Sequence, residues 1–148
     1  MRTMTRLVAV AALVMTLAGC REVRINSHST GSTIVPGGNQ VTVVRNRHEL
    51  DNLGIHDPTV RFTHEFAVVL VMGPHTQTGW RQAVESIRAN EQRTRIVAFE
   101  RAPADGGEPA AEYHTYTLWI VPNSVYRKGA VIDAVTPDGV VIASTVLK

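Results

Sequence analysis

The chain is poor in the residues on which several protein classes depend. Among its 148 residues there is one cysteine, Cys20, so no disulfide can form within the chain. No apolar run reaches the roughly 20 residues that a membrane-spanning helix needs. Lysine and arginine form no sequence cluster and no stripe with interleaved aromatics, which argues against a nucleic-acid partner. Only eight residues are Phe, Trp or Tyr, so the position of each aromatic side chain matters.

Motifs for catalysis and metal binding are also missing. There is no G-x-S-x-G and no glycine-rich phosphate loop leading into a helix. The six histidines never form an H-x-x-x-H or H-x-H pair, the spacing that places two ligands on one element. We therefore predict a protein that is not an enzyme, with no metal site and no cofactor. The histidines are His28, His48, His56, His64, His75 and His114.

The first twenty residues have the layout of a bacterial export signal. Arg2 and Arg6 give a basic start, and the apolar run from Leu7 to Leu17 is too short to be a stable membrane span. It ends in Leu17-Ala18-Gly19-Cys20, which resembles the bacterial lipobox, where the cysteine becomes the first mature residue and carries the lipid. We expect residues 1–19 to be a signal peptide and Cys20 to be lipidated. An ordinary secretory signal with a chance cysteine is the alternative.

A lipid on Cys20 would decide the location of the protein. Two or three acyl chains bury enough methylene groups to anchor a protein stably. We expect it in the bacterial cell membrane or outer membrane, facing outside the cytoplasm. Arg21, rather than an aspartate, follows Cys20, which favours the outer membrane in a cell that has two. Arg2 and Arg6 account for the whole excess of positive charge, so residues 20–148 carry 13 basic and 13 acidic side chains.

The remainder divides into a spacer and one domain. Residues 20–40 are rich in Ser, Asn, Gly and Thr, which predicts a flexible tether. Edge strands near Val23 to Ile25 or Thr33 to Val35 remain open as alternatives. Residues 41–148 are long enough for a single domain with its own core.

Short, turn-punctuated apolar segments predict a mainly β fold, a small antiparallel sandwich or partly open barrel with one short helix. Asn46 is placed to cap that helix, with Glu49 at the capping-box position and Gly54 as its stop. Phe66 to Met72 is apolar on both faces, which predicts a central strand. Arg81 to Ile87 is ambiguous, because its composition suits a helix but the segment is short and its alternation is poor. Further predicted strands are Val41 to Val44, Arg95 to Arg101, Tyr113 to Val121, and the hairpin strands Val131 to Thr136 and Val140 to Val146.

A polar, turn-rich segment, Gly73 to Gly79, precedes Trp80 and is the candidate partner-binding loop. We expect Gly79 to adopt a positive φ, which glycine tolerates best. Trp80 is either a core residue or an exposed anchor for a partner, since tryptophan is favoured in both settings. The candidate binding residues are His75, Gln77, Thr78, Gly79 and Trp80.

The stretch from Phe66 to Pro122 contains Met72-Gly73, Thr78-Gly79-Trp80, a Pro/Gly loop from Ala102 to Pro109, and a strand that ends in Pro122. This pattern resembles the C-terminal domain of the PrcB family, named for a lipoprotein subunit of a bacterial surface protease complex. The family loop reads Thr-Gly-Gly-aromatic, whereas here the second loop glycine is absent and Trp80 takes the aromatic place. The resemblance implies a non-catalytic domain that binds a protease.

A second likeness provides the alternative function. The Thr-Gly-aromatic loop also looks like a loop of chagasin-type cysteine protease inhibitors, although the Arg-Pro-Trp loop of those inhibitors is absent. The sequence therefore predicts a lipid-anchored domain that binds a protein partner without catalysis. A chagasin-like inhibitor and a purely structural envelope lipoprotein are the alternatives.

Overall fold

Strands dominate residues 22–25 and 28–148, the part of the chain that the computed structural model describes. The predicted signal peptide and Cys20 lie outside these residues. Most strands are short runs rich in β-branched residues, as the sequence predicts. They are β1 (Val23–Arg24), β2 (His28–Thr33), β3 (Gln40–Val44), β4 (Glu65–Gln77), β5 (Arg81–Ala89), β6 (Arg93–Arg101), β7 (Pro109–Pro122), β8 (Val131–Val135) and β9 (Val141–Val146). A short helix, α1 (Arg47–Asn52), follows β3, and a 3-10 turn (Asn123–Val125) follows β7.

The strands form two sheets. The five-stranded sheet has the order β1-β5-β6-β8-β9, and the four-stranded sheet has the order β2-β7-β4-β3. The mainly β sandwich with one short helix is thus confirmed. All strand pairs are antiparallel except β6 with β8. These two can run parallel because β7, which lies between them in the sequence, crosses to the other sheet, and a parallel pair needs such a long connection.

Strand β4 is the centre of the fold, as its two-sided apolar sequence predicts. It lies between β7 and β3, and its residues alternate between two hydrophobic clusters. Phe66, Val68 and Leu70 face the five-stranded sheet, whereas Val69 and Val71 face a layer formed by α1 and the following loop. Both clusters consist of residues between Ile25 and Leu147, so residues 21–148 contain all of the core that the described chain forms.

Helix α1 begins and ends as predicted. The Asn46 side chain accepts a hydrogen bond from the Glu49 backbone N–H at 2.9 Å, and the chain leaves the helix through Gly54 at φ 66°. The Glu49 carboxylate accepts from the backbone N–H of Arg45 rather than from that of Asn46, so the capping box closes one residue earlier than usual. Leu50 is fully buried and attaches the helix to the four-stranded sheet.

The prediction of a flexible tether over residues 20–40 is wrong for residues 28–33. These form β2, which pairs with β7 from His28↔Trp119 to Thr33↔His114. An edge strand is held mainly by backbone hydrogen bonds, so a polar sequence does not exclude it. Gly31 also permits close packing, because a Cβ there would lie 2.8 Å from the Tyr116 ring. The alternative of an edge strand near Val23 is confirmed by β1, which pairs with β5.

Two other segments differ from the sequence-based prediction. The predicted loop Gly73 to Gly79 is mostly a continuation of β4, with register shifts after Met72 and His75 that accommodate Gly-Pro within a strand. The ambiguous segment after Trp80 is a strand, β5. Its alternation is poor because a bulge at Glu85 shifts the inward-facing phase from Val84 to Ile87.

Candidate functional site

The predicted anchor and the described fold are close together in sequence. Cys20 lies outside the described residues, and the described chain starts at Glu22, directly before β1. None of the helices in the described ranges is long and apolar enough to cross a membrane.

The predicted partner-binding segment is brought together around Trp80. The Trp80 indole stacks on the His75 imidazole, with ring centroids 4.3 Å apart and planes 11° from parallel. Tyr113 of β7 lies on the same cluster, 5.9 Å from the imidazole. Trp80 is half-buried, so it is neither a core residue nor a freely exposed one. Its indole N–H is buried and has no hydrogen-bond partner in the described chain.

The His75 ring is fixed by a carboxylate. Its Nε2 lies 2.8 Å and 2.7 Å from the two carboxylate oxygens of Glu100, and both side chains are only about one tenth exposed. The hydroxyl of Thr115 donates to the same carboxylate at 2.5 Å. A carboxylate accepts and does not donate, so the imidazole donates from Nε2 and its orientation is set. The fixed imidazole in turn supports the Trp80 indole that stacks on it.

A second polar contact joins the two sheets beneath Trp80. The Gln82 side-chain amide donates to the backbone carbonyls of Leu70, at 3.1 Å, and Thr115, at 2.9 Å. Its carbonyl oxygen accepts from the Thr117 hydroxyl at 2.7 Å. All of these polar groups therefore have partners although they lie between two sheets, where an unpaired amide would be costly.

The turn at Thr78 and Gly79 is clamped to the loop before β7. The Thr78 backbone N–H donates to the Glu108 carbonyl at 2.8 Å, and the Thr78 hydroxyl accepts from the Glu108 N–H at 3.0 Å. Gly79 has φ 94°, as predicted, and a Cβ there would lie 2.7 Å from the Pro103 ring. The two loops singled out by the family resemblance thus pack against each other, which holds the turn rigid.

A groove of about 620 Å³ opens beside this cluster. It lies between β2, the edge of the four-stranded sheet, and the start of β5. Among the described residues, the edge of β5 is paired with β1 only near Arg88 and Ala89, so its first part has a free edge. Lining residues come from β2, the Trp80 turn and β7: Thr30, Gly31, Ser32, Thr78, Gly79, Trp80, Arg81, Gln82, Ala110, Tyr113, Thr115 and Tyr116.

Strand β2, on one side of the groove, is attached to Asp57 by a hydrogen bond. Ser29 of β2 donates to its carboxylate at 2.9 Å, and the Thr59 backbone N–H donates at 2.9 Å. Burial raises the pKa of Asp57, but these hydrogen bonds and the charge of Arg47 outweigh it, so the pKa lies below its usual value. Burial, together with the negative charge of Asp57, raises the pKa of Tyr116, whose phenol therefore stays neutral at the groove.

The structure unites only part of the predicted site. His75, Thr78, Gly79 and Trp80 lie at one cluster, whereas the exposed Gln77 contributes its backbone carbonyl, which accepts from the Tyr113 hydroxyl at 2.7 Å. Sequence reasoning missed Gln82, Glu100 and the groove itself. The inward-facing Gln82 was the available signal, since a polar residue at a core position predicts a buried network.

The other histidines contribute nothing to this site. His114 is buried, and its Nε2 lies 2.7 Å from the Gly37 carbonyl, while Nδ1 has no hydrogen-bond partner in the described chain. In the part of the chain that the structure describes, no three His, Cys, Asp or Glu side chains are grouped so as to hold a metal ion.

Comparison with known proteins adds no relative. No family model, no curated protein and no solved structure matches the chain significantly.

Proposed function

We propose that the chain is a lipid-anchored, extracytoplasmic domain that binds an extended segment of a protein partner in the groove beside Trp80. The observation that carries this proposal is the juxtaposition, on either side of that groove, of two edges that pair with no further strand among the described residues: the outer edge of β2 and the start of β5. An extended peptide can pair with such an edge through its backbone, and side-chain pockets then supply specificity.

The surroundings of the groove support a binding role. Trp80, Tyr113 and Tyr116 line it, and aromatic side chains provide much of the binding energy in protein interfaces. The Glu100–His75 contact and the clamped turn hold Trp80 in place before a partner arrives, which lowers the entropy lost on binding. For the class of partner we propose a protease, from the resemblance to the PrcB family.

A site-specific photocrosslink tests the proposal. Ser32 is exposed and lines the groove, whereas Ser144 of β9 is exposed on the other sheet and serves as the matched position. With a photoreactive residue in place of Ser32, we expect one adduct in intact envelopes, and its loss when Trp80→Ala is added. A photoreactive residue at position 144 should give no such adduct. A crosslink at both positions, or at neither, would contradict the proposal.

The same adduct identifies the partner class. Labelling with an active-site probe for serine or cysteine proteases should mark the crosslinked partner if it is a protease. The inhibitor alternative instead predicts that the purified protein blocks a papain-like protease, with the exposed tip at Thr78 and Gly79 entering its cleft. A structural envelope lipoprotein would give neither result.

A further inference from the structure

Arginine side chains are grouped at the end of the five-stranded sheet where the described chain begins, at Glu22 and β1. Arg24, Arg88 and Arg95 stand directly opposite one another on β1, β5 and β6, and all three are exposed. Arg93 lies two residues from Arg95 on the same face of β6. We call these four residues the arginine corner. Like charges placed directly opposite in a sheet destabilise it, so such a row is costly unless something anionic lies against it.

The described acidic groups balance only half of this charge. Glu22 lies 3.7 Å from Arg88, and Asp133 lies 3.3 Å from Arg93. Asp133 also stands opposite Arg95 in the β6–β8 register, but its carboxylate pairs with Arg93, and no acidic group among the described residues lies within ion-pair distance of Arg24 or Arg95. A depression of about 190 Å³ between the arginines, lined by Glu22, Arg88, Asn90, Arg93 and Arg95, leaves room for an anionic group.

We propose that the arginine corner docks on the anionic headgroups of the membrane that holds the lipid anchor. This inference rests on the proposed lipidation of Cys20. A backbone span of at most about 7 Å separates Cys20 from Glu22, which pairs with Arg88 of the corner. Once anchored, the domain could not lift the corner far from the headgroups. Phosphate groups match the planar guanidinium well, and each basic residue near an anionic surface strengthens attachment.

Docking at this end would also orient the groove. Arg88 lies near the end of β5 and Arg81 at its start, about 23 Å away along the strand. The groove beside Trp80 would then face away from the membrane, toward a partner in the surrounding space. Acidic residues are concentrated at that far end, in the loop and strand start that contain Asp105, Glu108 and Glu112.

Vesicle binding by residues 21–148 tests the docking without the lipid, because this fragment contains both hydrophobic clusters of the described chain. The probes are vesicles of phosphatidylcholine alone and vesicles with equal parts phosphatidylglycerol. We expect sedimentation with the anionic vesicles only, and its loss at about 1 M salt, where the Debye length falls to about 3 Å. Arg95→Gln should weaken binding about fivefold, the factor expected for one arginine near an anionic surface.

Arg101→Gln is the matched control, since Arg101 lies on the same face and the same strand, six residues farther from the corner. It should change vesicle binding by less than about twofold. No binding to anionic vesicles, or an equal loss in both variants, would overturn the proposal. Binding of inorganic phosphate at millimolar concentration, without any binding to vesicles, would assign the corner to a soluble anion and would also overturn the proposal.

These outcomes are independent of the anchor itself. A protein that is not lipidated at Cys20 would fail acyl labelling of the full chain, whatever the fragment does with vesicles. A lipidated protein whose corner does not dock would pass acyl labelling and fail the vesicle assay.

Discussion

The two ends of strand β5 differ in the shape and the charge of the surface that surrounds them. At its start, Trp80 and the neighbouring tyrosines line a groove, and a network through Glu100 and Gln82 fixes the side chains in place. At its end, the arginine corner is exposed and only partly balanced by acidic groups. The first end has the shape and rigidity of a specific peptide site, whereas the second has a charge pattern that suits a diffuse anionic surface. One strand thus connects the proposed peptide groove with the proposed membrane-docking surface.

The largest expected effect is on the free energy of unfolding, and it distinguishes Trp119→Ala from Trp80→Ala. Trp119 is fully buried between the sheets, so Trp119→Ala should lower the free energy of unfolding by about 3–5 kcal/mol. Trp80→Ala should cost less, because Trp80 is half-buried, at the end of the sheet, and stacks on His75. Trp80→Ala should instead weaken partner capture by more than about 2 kcal/mol. Chemical denaturation and quantitative pull-downs measure both quantities. An equal loss of stability in the two variants would make Trp80 a core residue and remove it from the groove.

The clamp on the Trp80 turn gives the next effect. Gly106 and Gly107 both have a positive φ, so alanine at either position is strained by roughly 1–2 kcal/mol. A Cβ at Gly106 would meet open space, but one at Gly107 would collide with the Thr78 carbonyl. Gly107→Ala should therefore destabilise the protein by at least about 1 kcal/mol more than Gly106→Ala. Thermal unfolding of the two variants measures the difference, and equal melting temperatures would show that the clamp is not rigid.

The smallest effect concerns pH and the β2 side of the groove. The pKa of Asp57 in the folded protein lies below its usual value of 3.8, so the ionised carboxylate stabilises the fold above that pH. This contribution is lost as the pH falls through the lower, folded-state pKa. Asp57→Asn should remove the Asp57 share of the stability lost on acidification below about pH 5. Urea unfolding at a series of pH values measures it, and an unchanged pH slope in the variant would contradict the assignment.

Local sequence pattern predicted most of the fold because the strands that build the core are apolar. The central strand, the capped helix at Asn46 and the hairpin around Pro137-Asp138-Gly139 all appear where the pattern places them, with the Thr136 N–H donating to the Val140 carbonyl at 2.8 Å. The sequence pattern did not predict β2, because this polar strand is held by backbone pairing with β7 rather than by burial. Strand β5 was hidden because one bulge breaks its alternation.

The candidate site was predicted only in part, for a different reason. The segment containing His75 and Trp80 is continuous in sequence, so composition and turn residues drew attention to it. The groove and the arginine corner are formed by residues from separate strands, and sheet pairing alone brings them together. Arg24, Arg88 and Arg95 are far apart in the sequence, so no local charge pattern predicts that strand pairing aligns them in a single row.

In the proposed orientation, the arginine end of the domain lies at the membrane and the Trp80 end faces away from it. Gln92, in the turn after β5, and Gln77, beside the Trp80 turn, are both exposed. Once Cys20 carries its lipid, Gln92→Cys and Gln77→Cys each provide the only free thiol for a fluorescent label. In the lipidated protein reconstituted into phosphatidylglycerol-containing vesicles, a headgroup-attached quencher should dim the label at position 92 and leave the label at position 77 unchanged. Equal quenching at both positions, or stronger quenching at position 77, would contradict the account.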